Sequence, residues 1–183
     1  NGGGAVFNLQ HLTSLLMPAD TPLGTFVDRT MVRKYQKETG DETPEPAEVA
    51  AWSPAKIRPL KQKRVKPFEG RIVVLQNGNA GSASEIAAAA LKELRGATVI
   101  GTKSAGAVLV SVITDATNGF NLQYPLSDYV TPKGQRLEGN GVAPDVEVAE
   151  PRYRLPKDPD PVVDRAKEWI KQLARAEKAG QSG

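Results

Sequence analysis

Apolar residues fall at positions 5, 6, 9, 12, 15 and 16, a helical stripe that Pro18 ends while pushing residue 17 towards an extended shape. Ahead of the stripe stands Asn1-Gly2-Gly3-Gly4, a turn of the kind that follows a strand in β-turn-α units. The pattern therefore predicts an α/β domain that is incomplete at its N-terminus. Short strands are predicted at 23–28 and 31–36, and residues 38–55, rich in Glu, Pro and Ala, read as a loop. The continuous apolar run within Arg71–Gln76 suits a strand buried on both faces. A turn at 77–81 leads to a strong helix over 83–95, with Ile86, four alanines, Leu91 and Leu94, ended by Gly96. The strand at 97–101 then completes a parallel strand–helix–strand unit. Further β segments are predicted at 107–114, 119–125 and 128–131, separated by Asn-Gly and Pro-Lys-Gly turns. A Pro-rich stretch, 156–161, leads into a last helix, 161–178, whose apolar face carries Val162, Val163, Ala166, Trp169, Ile170 and Leu173.

Composition narrows the class. The 183 residues are 39% hydrophobic and 25% charged, which fits a folded domain with a real core. A formal charge of +3 is too small to argue for nucleic acid. The cations are concentrated in 56–66, Lys-Ile-Arg-Pro-Leu-Lys-Gln-Lys-Arg-Val-Lys, which reads as a solvated connecting segment or as a patch for acidic chains or a membrane surface. The absence of cysteine excludes thiol nucleophiles, thiolate metal sites and disulfides. No run is long and apolar enough to span a membrane.

The chemistry concentrates at Asn79-Ala80-Gly81-Ser82-Ala83-Ser84-Glu85, between the predicted strand and helix. A sharp strand-to-helix turn lifts a side chain out of the sheet. It also places backbone N–H groups and the positive helix end beside that side chain, where an oxyanion is stabilised. Small residues at 78, 80, 81 and 83 would let a substrate backbone approach closely. The same residues also spell a capping box from Ser82 to Glu85. Local chemistry leaves both readings open, with Ser84 as an alternative cap should Ser82 point outward.

Gly-Ser-Ala-Ser-Glu-Ile at 81–86, the Ala-rich helix, and Gly101-Thr102-Lys103 closely resemble the carboxy-terminal processing (tail-specific) serine proteases. Asn1-Gly2-Gly3-Gly4 is similar to the end of that family's glycine loop. Tyr129-Val-Thr-Pro-Lys-Gly-Gln-Arg, Glu138-Gly-Asn-Gly-Val-Ala-Pro-Asp-Val and Asp160-Pro-Val-Val-Asp-Arg-Ala match later segments in order, leaving 20–70 unmatched. The resemblance implies a ClpP/crotonase-like α/β core with a mainly parallel sheet plus short β segments. It divides the chain into a peptidase-like core over 1–155, with 29–68 an inserted or lid-like segment, and a linker and helix over 156–183. It implies a Ser82 nucleophile, an oxyanion hole from the Ala83 N–H and the Gly2-Gly3 loop, an extended polypeptide substrate along a strand edge, no cofactor or metal, and an exported location. A homo-oligomer fits it too. No PDZ domain falls within these residues, so C-terminal recognition is not expected of them.

One element departs from the family pattern. The family's base is a lysine in a Gly-Lys-Gly motif 25 positions after the serine, and that register lands on Ala107, with the associated glutamine at Ser111. Alanine cannot take the serine proton. Three explanations stay open. A tricorn-like arrangement would use a histidine from outside these residues, oriented by a glutamate at the offset of Glu138. A non-catalytic peptide-binding module is the second. The third is a substitute base, His11 or Lys103, although His11 reads more readily as a surface or packing residue and Lys103 as a solvated lysine.

Overall fold

The computed structural model describes residues 1–149, 155 and 157–180. At its centre β2 (Val73–Gln76) and β3 (Thr98–Gly101) pair in parallel, Val73 opposite Thr98 and Gln76 opposite Gly101. The connection is α4 (Ala83–Arg95), closed by Gly96 in the left-handed conformation. β6 (Val146–Glu147) adds in parallel on the other side of β3. Gly101, at φ 132°, lies so close to the Gln76 carbonyl that a Cβ there would collide with it.

A second three-stranded sheet is antiparallel, in the order β1 (Thr25–Asp28), β5 (Asn121–Val130), β4 (Val110–Asp115). The parallel pairing expected from the sequence thus occupies one sheet, with an antiparallel sheet of equal strand number beside it. The segments expected at 119–125 and 128–131 are one continuous strand. Pro125 is tolerated within it because β1 pairs only with Ser127–Val130, so at Pro125 only the β4 side faces another strand, next to a register shift at Val110/Ser111. Residues 107–109, expected to begin a strand, lie ahead of β4.

Two expectations fail between the sheets. Residues 31–36 are not a strand but part of α2 (Arg29–Thr39). The Asp28 carboxylate accepts from the Met31 N–H at 2.8 Å, Gly40 closes the helix at φ 78°, and Met31, Val32 and Tyr35 pack on Val27 and Val49. Within the expected loop at 38–55, Pro46–Trp52 forms α3, with proline in its first turn and a Glu45–Glu48 capping box. Tyr35 and Trp52 meet edge to face at 5.6 Å.

Residues 53–68 form a strap without regular structure, fastened along α1 (Val6–Ser14). The Leu23 N–H donates to the Ile57 carbonyl, the Ile57 N–H to Gly24, the Leu60 N–H to Gln10 and the Phe68 N–H to Leu15. The Gln10 side chain returns a bond to the Arg58 carbonyl, and Gln62 donates to Ser14 Oγ.

The core lies where α1 and α4 cover the parallel sheet. Leu9, Ile86, Ala87, Val99, Val108 and Tyr129 are buried together. Tyr129 is fully buried and donates to the Leu23 carbonyl at 2.6 Å; burial pushes its phenol up. On the opposite side of the sheet, α5 (Pro161–Gly180) buries Val162 and Ala166 against Ile100, and Trp169 Nε1 donates to Thr98 Oγ1. The Pro-rich stretch expected at 156–161 begins outside the described residues. Among those described, no helix is long and apolar enough to cross a membrane.

Candidate active site

Ser82 is the N-cap of α4 and joins β2 to it with φ 52° and ψ −129°. It is one of two non-glycine residues with positive φ among those described. Such a conformation costs about 1–3 kcal/mol and persists only where its surroundings hold it. Those surroundings are identifiable. The Ser82 N–H donates to the Ala107 carbonyl at 2.8 Å and to Glu85 Oε2 at 3.2 Å, while the Glu85 N–H donates to the Ser82 carbonyl at 2.9 Å. The capping-box geometry is present on both sides, but only the Glu85 half is a well-formed hydrogen bond. Ser82, not Ser84, is thus the cap residue, in a strained backbone shape that an ordinary helix cap does not need.

Glu85 does more than close the box. Its side chain is 0% exposed. Oε1 accepts from Ser104 Oγ at 2.5 Å and from the Gly106 N–H at 2.7 Å, and Oε2 from the Ala107 N–H at 2.9 Å as well as from Ser82. The buried charge is met by donors rather than by a cation. Ser104 passes the connection on by accepting the Val142 N–H at 2.6 Å.

Glu138 continues the pattern. Its Oε2 accepts the Val108 N–H at 2.8 Å and the Leu109 N–H at 3.1 Å. Four consecutive N–H groups, from Gly106 to Leu109, therefore all end on carboxylates. Through this segment the two glutamates are joined to the Ser82 turn. The Ala107 side chain itself is exposed.

The glycine loop lies against the same turn. A Cβ on Gly3 would stand 2.6 Å from Ser82 Cβ, 2.9 Å from the Gly81 carbonyl and 3.0 Å from the Ala83 nitrogen, and Gly3 has φ 104°. The Gly81 N–H donates to the Asn1 carbonyl at 3.2 Å. The Gly3 N–H is already taken by Asn1 Oδ1 at 3.0 Å, whereas the Ala83 N–H meets no acceptor among the described residues. A cavity of about 510 Å³ opens beside Ala83, between α1, α4 and β2, lined by Gly3, Leu9, Leu12, Val74, Leu75 and Ala87 among others.

Sequence reasoning placed Ser82, Ala83, Gly2, Gly3 and Glu138 as candidates, and the fold gathers Ser82, Ala83 and Gly3 into direct contact, with Glu138 one backbone segment away. Gly2 has open space around it. His11 and Lys103 are both exposed. Sequence reasoning saw Glu85 only as a cap and missed Ser104. The signal for Glu85 was its place in the box; its bonds to residues 104–107 span 19 to 22 positions, beyond any local pattern. Among the described residues no three His, Asp or Glu side chains gather as a metal site needs.

The model of peptidase family S41 matches residues 1–148. A carboxy-terminal-processing protease of Bartonella bacilliformis is 42% identical over 103 residues, 51% of this chain and 24% of that protein. A CtpA-like serine protease of Staphylococcus epidermidis is 32% identical over 84 residues, 46% of this chain and 17% of that protein. The matched stretch thus spans about a quarter or less of these relatives' own length. Among solved structures, the photosystem II D1 C-terminal processing protease superposes with a TM-score of 0.58 at 22% identity, over 81% of this chain and 32% of that one. The tricorn protease superposes with a TM-score of 0.52 at 27% identity, over 58% and 11%. With its family model matched over most of the length, the chain belongs to peptidase family S41.

Proposed function

We propose that Ser82 is the nucleophile of a serine peptidase core that cleaves extended polypeptides through an acyl-enzyme. The observation that carries this reading is the strained φ 52° of Ser82 beside an Ala83 N–H that meets no acceptor among the described residues. The turn carries the hydroxyl at the N-terminus of α4, and the Ala83 N–H, at the positive end of the helix, meets the carbonyl oxygen as it becomes an oxyanion. Attack of the Ser82 oxygen on the peptide carbonyl forms the tetrahedral intermediate. Its collapse expels the amine, and water then releases the acid. The second oxyanion donor comes from the glycine loop, where Gly3 is occupied by Asn1, so Gly2 or Gly4 supplies it.

The proton needs a base, and position 107 offers none. The tricorn-like arrangement meets this need with a histidine from outside these residues, oriented by Glu138. In favour of that role, only Oε2 of Glu138 is committed to backbone N–H groups. A second reading, a peptide-binding module without catalysis, is favoured by Ala107 itself. The test is labelling by a serine-reactive fluorophosphonate of the protein with its upstream region, beside a Ser82→Ala control. Label on Ser82 supports the enzyme. A folded protein that takes no label but retains peptide binding supports the module.

A further inference from the structure

The 53–68 strap carries a charge that the rest of the fold does not use. Between residues 53 and 68 stand six cations and no acid. Arg58, Lys61, Lys63, Arg64 and Lys66 form no ion pair with any described residue. At the start of the strap, burial first and then the neighbouring Arg58 charge push the Lys56 ammonium down. A free basic tail would keep such charges apart by flexing, but here the backbone bonds to Gly24, Gln10 and Leu15 hold the strap against α1. The ordering of this surface therefore need not be supplied at the moment of binding.

Apolar side chains stand exposed among these cations. Val65 is 50% and Phe68 54% exposed, and on α1, along which the strap runs, Phe7 is 64% exposed. A run of acidic residues alone would match the charge and leave these side chains in water. An anionic lipid surface takes both, with cations at the headgroups and apolar groups at the acyl boundary.

We infer that the strap, with Phe7 of α1, is a docking surface for an anionic lipid membrane. Each Lys or Arg at such a surface raises partitioning about fivefold.

The experiment is sedimentation of the chain with vesicles of phosphatidylcholine alone or mixed with phosphatidylserine, at low and high salt. Binding to the mixed vesicles only, weakened by salt, is expected. Joint replacement of Lys61, Lys63, Arg64 and Lys66 by Gln should lower partitioning at least about 100-fold. Val65→Ser should lower it several-fold with the salt dependence unchanged, and unaltered thermal unfolding of both variants excludes a folding cause. Absence of binding to the mixed vesicles, or binding that survives the four Gln substitutions, overturns the inference. So does salt-sensitive binding that Val65→Ser leaves intact and that soluble polyglutamate takes up equally well, since that outcome assigns the strap to an acidic polypeptide.

Discussion

The N–H of Ser82 donates to the carbonyl of Ala107 at 2.8 Å, so the candidate nucleophile is fastened by its backbone to the residue where the resemblance would set a base. The same peptide segment is held on its N–H side by Glu85 and Glu138. The serine's shape and the segment's shape are therefore one mechanical unit, and five substitutions probe it.

Ser82→Gly removes the penalty of positive φ while leaving the turn's backbone bonds in place. Glycine adopts this region freely. Unfolding in denaturant should show a gain of about 1 kcal/mol, the lower end of the strain a non-glycine residue bears there. A loss of stability would mean that the serine side chain contributes more than the strain removes.

Glu85→Gln puts an amide NH₂ among four donors that need oxygen. At least one buried N–H or O–H then loses its acceptor, and the charge that strengthened the others is gone. A loss of about 3 kcal/mol is expected by chemical denaturation. Parent-like stability would show that the carboxylate does not hold the turn.

Glu138→Gln behaves differently, because both of its hydrogen bonds go to one oxygen. The amide can keep its carbonyl on Val108 and Leu109 and turn its NH₂ to the other side. Stability should change by under about 1 kcal/mol. In the active protein, hydrolysis should fall by at least about tenfold if the charge orients a base. Full activity would remove Glu138 from the mechanism and leave it a backbone clamp.

Gly3→Ala and Gly2→Ala form a matched pair. At Gly3 a methyl group would meet the Ser82 Cβ and the Gly81 carbonyl at φ 104°, so the loop must move away from the turn. At Gly2 nothing lies within 4 Å. Thermal unfolding and fluorophosphonate uptake should both suffer at Gly3 and be nearly unchanged at Gly2. Equal effects would mean that the loop is not seated on Ser82 in solution.

The parallel unit was legible in the sequence because its signals are local and agree: an apolar run, a glycine-rich turn, an Ala-rich helix and a terminal glycine. α2 was misread because Arg33-Lys34-Tyr35-Gln36-Lys37 is polar and only Met31, Val32 and Tyr35 mark a helical face; the decisive signals are its caps, Asp28 and Gly40. α3 was hidden by Pro and Glu, which favour loops in composition but helix starts by position. In β5, the segments expected at 119–125 and 128–131 are joined by pairing with β4 and β1, which no local pattern shows. At the site, Ser82 was readable as a turn residue, while its strain and its bond to Ala107 depend on contacts across 25 positions.

With both backbone groups of Ala107 fastened and its side chain facing solvent, scaffold and reagent are separable in this fold. Residue 107 resembles an empty tool holder: its seat stays rigid whichever side chain is fitted. A lineage could exchange one proton acceptor for another, or discard it, without remodelling the pocket around it. Loss of chemistry at this position would leave no scar in the architecture, and overall shape is then a poor guide to which members of such a lineage still cut.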